Sequence, residues 1–224
     1  MADGKLPKVV LIGFNKCATR SFAQLFQAAG HKALHHKLRR SLRRSQTMAR
    51  LMRENLAAGR KIFAGAEDYV FFSDLIYVTP DLAYEGNSDF RQMLADYPDT
   101  ILVLNLRDRE AWIKSRTRHG HGEFIQRYQA ALGLADAAAV QDHWRQAWDA
   151  HIAAVRAFMA DYPDQLIEFD IDSDPITDLT TRLSDYRLNP ADWGDSGRSR
   201  GRKQTGLLAG LRRFWAHVKH RPTV

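Results

Sequence analysis

The 224-residue chain is expected to fold as a three-layer α/β/α domain around a mainly parallel central sheet. Three observations lead there. Residues 8–13 (KVVLIG) and 100–106 (TILVLNL) are continuous apolar runs, the pattern of strands buried on both faces. Each is followed by a segment with helical spacing. The tetrapeptide DYPD stands at 96–99 and again at 161–164, both times just ahead of an apolar run, as a proline-stopped turn from helix to strand. Alternating strands and helices pair in parallel and cover both sheet faces.

The first strand ends at Gly13 and opens into residues 14–21 (FNKCATRS). Phe22, Leu25, Phe26 and Ala29 then recur at helical spacing, and Gly30 is a helix stop. Residues 32–36 (KALHH) read as a short second strand. Residues 37–61 hold nine Lys/Arg against one acid, with Leu38, Leu42, Met48, Leu51 and Leu56 among them. They read as a basic helix or helix pair. Residues 62–66 read as a third short strand, 68–80 are aromatic and β-branched without a definite form, and 89–95 read as a helix. Residues 100–106 form the strongest strand in the chain, and 109–116 continue as a helix. Residues 140–160 are a long amphipathic helix with Trp144, Trp148, Ile152, Val155 and Met159 on one stripe, placing the tryptophans in the core. Residues 166–169 are a further strand. The expected organisation is a single domain over 1–224, with a basic helical segment at 37–61 and a basic tail at 196–224.

Hydrophobic residues make up 45% of the chain, enough for a sizeable core and too many for general disorder. The formal charge of +7 suits an anionic partner without choosing among nucleotide, polyanion and membrane surface. Cys17 is the single cysteine, so no intrachain disulfide forms. No apolar run approaches the ~20 residues of a membrane span, and the expected location is cytoplasmic.

Residues 13–21 carry the chemistry. A strand, a tight loop and a helix start make an anion site, because free backbone N–H groups and the helix dipole point at the ligand. Lys16, Thr19, Arg20 and Ser21 add donors suited to phosphate or sulfate. The pattern departs from the NTPase phosphate loop G-x-x-x-x-G-K-[ST]. Gly13 fits its first glycine, but Ala18 stands at the second, Thr19 at the lysine, and the lysine lies upstream at Lys16. Asp108 follows the strong strand only after Leu106 and Arg107, a poor place for a magnesium ligand.

The loop resembles the 5′-phosphosulfate loop of sulfotransferases that use PAPS (3′-phosphoadenosine 5′-phosphosulfate). Lys16 and Thr19 match that family's pattern; Ala18 and Arg20 depart from it. The family also places an arginine just past a central strand and a serine eight residues on, both for the 3′-phosphate. Arg107 and Ser115 stand in that relation. The stretch 96–116 (DYPDTILVLNLRDREAWIKSR) is similar to a branch with a Y-P-D lead into the strand and an R-D-x-x-x-W continuation. The resemblance implies a P-loop NTPase-like sulfotransferase fold and transfer of a sulfuryl group from PAPS to a hydroxyl or amine, with PAP released. It implies a donor site of Asn15, Lys16, Cys17, Ala18, Thr19, Arg20, Ser21, Arg107 and Ser115, no required metal, and a small-molecule, glycan or lipid acceptor rather than nucleic acid. It also implies a late basic loop, for which residues 196–203 (SGRSRGRK) offer Arg198, Arg200, Arg202 and Lys203. Arg202 and Lys203 are assigned to the nucleotide.

The family's catalytic base is a histidine or glutamate near the loop lysine. His35 and His36 fall at one expected place; Glu67 and Asp68 fall at another. His35 is the first choice, because it lies five residues after Gly30, with His36 and Asp68 in reserve. Strand alternation is expected to send His35 and His36 to opposite faces. His119 and His121 make no metal set by themselves and suit a loop beside nucleotide or acceptor. Cys17, at a cationic helix start, has a packing role and a reactive one open to it. The basic stretch and tail can hold an anionic acceptor, touch a membrane surface, or simply be solvated. Two other functions stand beside sulfuryl transfer: a nucleotide kinase with a degenerate phosphate loop, and a non-enzymatic polyanion binder on an α/β scaffold.

Overall fold

The structure, a computed structural model, describes residues 6–39 and 45–194. Strand β1 is Val9–Leu11, helix α1 Thr19–Ala28, β2 Ala33–His35, β3 Lys37–Arg39, β4 Ser45–Thr47 and α2 Met48–Ala57. Then come β5 Phe71–Ser73, β6 Ile76–Thr79, β7 Leu82–Glu85, α3 Phe90–Asp96, β8 Ile101–Leu106 and α4 Arg109–Thr117. The described chain ends with α5 Glu123–Leu132, α6 Ala137–Met159, β9 Leu166–Asp170 and α7 Ile176–Arg182.

The central sheet has the order β2-β5-β1-β8-β9, and every neighbouring pair is parallel. Period-two alternation sorts its side chains. Val9, Leu11, Phe71 and Val103 pack with Phe22 and Phe26 of α1 and Leu179 of α7 on one face. Val10, Phe72, Leu102 and Leu104 pack on the other with Met48, Leu51 and Met52 of α2, Met93 of α3 and Val155 of α6. Phe71 and Phe72 are both fully buried, each contributing about 1.5–3 kcal/mol. The expected three-layer α/β/α fold is what is observed.

A third apolar cluster joins α4, α5 and α6 to the loop after β1, through Phe14, Cys17, Trp112, Tyr128, Trp144 and Trp148. The tryptophan stripe is therefore core, as its spacing predicts. Helix α1 closes as expected: Gly30 has φ 84, its N–H donates to Gln27 O at 3.0 Å, and the N–H of His31 donates to Phe26 O at 3.0 Å.

Two sequence expectations are corrected. Residues 37–61 are not helical throughout: β3 and β4 pair as an antiparallel hairpin, and the helix covers only Met48–Ala57. Thr47 starts that helix, its hydroxyl accepting the Arg50 N–H at 3.3 Å. Residues 62–66 are turns rather than a strand, with Ala64 N–H bonded to Lys61 O and Ala66 N–H to Phe63 O, each at 2.9 Å. Their apolar run is real, but Ile62 and Phe63 plug the core from a turn. Among the described residues no helix is long and apolar enough to cross a membrane.

Candidate active site

The site lies at the carboxyl edge of the sheet, where parallel strands collect ligands. Gly13 begins it. A Cβ there would stand 2.2 Å from the backbone oxygen of Asn105 on β8, so only glycine lets the loop pass. The Asn105 side chain clamps the loop at two points, accepting the Gly13 N–H at 3.0 Å and donating to Cys17 O at 2.8 Å.

Two further carbonyls are held on the same terms. Trp112 Nε1 donates to Asn15 O at 3.0 Å, and Arg107 Nη1 donates to Lys16 O at 3.0 Å. A trans peptide sets its N–H opposite its C=O. With the carbonyls of Asn15, Lys16 and Cys17 all drawn to protein donors, the N–H groups of Lys16, Cys17 and Ala18 face the other way. Lys16 (φ 71) and Ala18 (φ 56) are left-handed, the backbone alternation that makes an anion-binding nest. Helix α1 starts directly after, with no side-chain cap among the described residues and no acid in its first turn. Its dipole and free N–H groups add to the nest.

The charges agree with that geometry. Burial lowers the Lys16 pKa; Asp74 opposes the shift, while the nearby charges of Arg20 and Arg107 reinforce it. Cations gathered without an equal number of acids suit a polyanion. Arg107 Nε and Asn15 Oδ1 are buried without a hydrogen-bond partner among the described residues. The nearest acid to Arg107, Asp172, is 4.0 Å from Nε. Asp108 instead caps α4, its carboxylate accepting the Ala111 N–H at 2.7 Å. Ser115 is half-buried, one helical turn beyond Trp112.

Other loop residues divide. Thr19 is buried, with Oγ1 3.2 Å from His35 Nε2. Arg20 is exposed at the first turn of α1. Cys17 is fully buried and burial pushes its thiol far up, which leaves packing as its role. Ser21 is also buried, and its hydroxyl donates to Gly194 O at 2.6 Å. Arg202 and Lys203 lie outside the described residues.

The histidines correct the alternation argument. His36 is left-handed (φ 62), so the chain leaves strand geometry there and both imidazoles reach one carboxylate. Asp74 Oδ2 is 3.6 Å from His35 Nε2 and 3.5 Å from His36 Nδ1. Burial lowers the His35 pKa, Asp74 opposing. Asp68 does not join them. It is exposed and paired with Lys32 at 2.5 Å, ahead of β5 and β2. Both strands run from there toward the loop, which puts Asp68 at the opposite edge of the sheet. Glu67 lies at that same edge, where its backbone oxygen accepts from Lys8 Nζ at 2.8 Å.

Three residues were not singled out from the sequence. Asn105 was signalled as the lone polar residue in the strongest strand. Asp74 follows an aromatic run, at the end of a strand not delimited from sequence. Arg116 is fully buried, its Cζ 4.7–5.6 Å from the ring centres of Phe14, Trp112, Phe124, Tyr128 and Trp144. Its Nη2 donates to Glu85 and to the Tyr128 hydroxyl, and nothing in the helical spacing marks it as buried.

No curated protein matches the chain. The family model described as "Sulfotransferase domain" matches residues 8–132, more than half of the 224. That stretch contains the loop, the histidine pair, Asp74, Arg107 and Ser115, and the observed parallel α/β architecture accords with it. On this match and this fold, the chain belongs to the sulfotransferase domain family.

Proposed function

We propose that this sulfotransferase takes its sulfuryl group from PAPS and passes it to a hydroxyl or amine of a small-molecule, glycan or lipid acceptor, releasing PAP. The observation that carries this reading is the backbone nest at Lys16–Ala18, its carbonyls held away by Trp112, Arg107 and Asn105. Arg107 Nε and Asn15 Oδ1, which have no hydrogen-bond partner among the described residues, stand beside it and fit a large polar ligand.

Bound there, PAPS supplies the sulfuryl group and a phosphate leaving group. The N–H groups of Lys16, Cys17 and Ala18, with Thr19 and Arg20, cradle the 5′-phosphosulfate. Lys16 stabilises negative charge on the phosphate oxygen as its bond to sulfur breaks. Arg107 and Ser115 hold the 3′-phosphate, the planar guanidinium matching phosphate oxygens. Lys16, Arg20 and Arg107 supply the positive charge. The histidine pair beside Thr19 removes the acceptor's proton.

The test is transfer from labelled PAPS to a panel of hydroxyl, amine, glycan and lipid acceptors, run beside Lys16→Ala. Wild type is expected to label at least one acceptor, and the folded variant none. Full transfer by a folded Lys16→Ala protein overturns the mechanism.

A further inference from the structure

The chain turns sharply where β9 ends, and the turn fixes one carboxylate. The Ile171 N–H donates to Leu106 O at 3.0 Å, carrying the pairing of β8 and β9 one residue past the strand. Asp172 follows. Its N–H donates to Asp170 Oδ1 at 2.9 Å, and its Oδ2 accepts the Asp108 N–H at 2.9 Å. The Asp174 N–H donates back to Asp170 O at 2.8 Å and closes the turn. The Asp172 side chain is 46% exposed, yet it is tied both to its own turn and to the end of the neighbouring strand.

That carboxylate stands beside the Arg107 guanidinium without bonding to it. Asp172 Oδ2 is 4.0 Å from Arg107 Nε, beyond hydrogen-bond length. Arg107 is held instead through Nη1, which donates to Lys16 O at 3.0 Å. Its Nε is buried with no hydrogen-bond partner among the described residues. Asp172 is therefore no tether for Arg107. It is a fixed negative charge next to a cation that has a donor to spare. A phosphate oxygen bonded to Nε stands about 2.8 Å from it, and so within about 7 Å of Asp172 Oδ2. That is inside the Debye length of about 10 Å at 0.1 M salt, so the two anions repel.

The donor PAPS and the product PAP carry the same 3′-phosphate. Each cation that draws in the donor therefore also retains the product. Resting on the sulfuryl-transfer reading above, we propose that Asp172 sets the strength of the nucleotide site: its charge opposes the 3′-phosphate at Arg107 and keeps PAP free to leave. Other acids at this end of the sheet are engaged elsewhere. Asp108 accepts the Ala111 N–H at 2.7 Å, and Asp170 accepts the Asp172 N–H. The effect falls alike on donor and product, so it tunes affinity rather than the chemical step.

Calorimetry of wild type and Asp172→Asn with PAP and with adenosine 5′-phosphosulfate, which lacks the 3′-phosphate, tests this. Asparagine keeps the shape and an oxygen for the Asp108 N–H while removing the charge. Asp172→Asn is expected to bind PAP about three- to tenfold more tightly, the scale of like charges near a protein surface. Its affinity for adenosine 5′-phosphosulfate is expected to stay at the wild-type value. The gain for PAP is expected to shrink in 1 M salt, where the Debye length is about 3 Å. Asp172→Ser, which also keeps an acceptor for Asp108, is expected to behave alike. Unchanged or weaker PAP binding, an equal change for both ligands, or a gain that ignores salt overturns the proposal. Loss of the fold in both variants also overturns it, because the carboxylate then braces the strand ends. A wild type that does not bind PAP overturns the sulfuryl-transfer reading and this inference with it. Normal PAP binding by wild type with no gain in the variants overturns only the role of Asp172.

Discussion

The Arg107 guanidinium donates from Nη1 to the backbone oxygen of Lys16 at 3.0 Å, joining the end of β8 to the loop after β1. One side chain thus shapes the nest and stands where a nucleotide phosphate is proposed to bind.

That double role predicts a graded result. Arg107→Ala should weaken adenosine 5′-phosphosulfate, which lacks the 3′-phosphate, because the loop loses a tether. It should weaken PAP further, by about 1.5–3 kcal/mol beyond that loss, the scale of a hydrogen bond to a charged group. Titration calorimetry of both ligands measures the difference. Equal losses mean that Arg107 does not read the 3′-phosphate.

Arg116 predicts a stability effect. It is buried among five aromatic rings and bound to Glu85 and Tyr128. Replacing it by methionine leaves Glu85 without its cation, a loss of about 3–5 kcal/mol for a broken buried pair. Adding Glu85→Gln should recover part of that loss. Denaturant unfolding of the single and double variants checks both expectations, and a single-variant loss below about 1 kcal/mol contradicts the buried-pair description.

His151 predicts how stability follows pH. Its Nε2 donates to Ile12 O at 2.6 Å, just ahead of Gly13, and burial lowers its pKa below the ordinary 6.5. Below pH 6.5 the unfolded chain binds a proton that the folded ring resists. The folded state therefore keeps this stability above pH 6.5 and loses it as pH falls toward the depressed value. His35 and His119 are shifted the same way and add to the slope. Thermal unfolding between pH 7.5 and 5 should show a falling midpoint, and His151→Gln should flatten it. An unchanged slope in the variant places the pH dependence elsewhere.

The sequence was legible where a signal is local. Residues 100–106 read as a strand because apolar residues run without a break, and the DYPD turns marked the starts of β8 and β9. Lys16 and Thr19 stood out because a loop between a strand and a helix has its own composition. The hairpin of β3 and β4 did not, because two three-residue strands in an arginine-rich stretch carry no periodicity. Ile62 and Phe63 look like strand residues since a buried turn and a buried strand share an apolar run. Asp74 depends on β5 lying between β2 and β1, a pairing of residues far apart in the chain. Arg116 needs rings from four separate segments before it is buried at all.

The central claim is that the nest holds a 3′,5′-bisphosphorylated adenosine without calling on a metal. Thermal shift of the wild-type protein with PAP, ADP and ATP, each with and without Mg²⁺, tests it most directly. A ligand held at 100 times its Kd raises stability by about 2.7 kcal/mol, so tight binding is easily read. The account predicts that PAP raises the unfolding midpoint most and that Mg²⁺ adds nothing. Greatest stabilisation by ATP with Mg²⁺, or none by PAP, would contradict it.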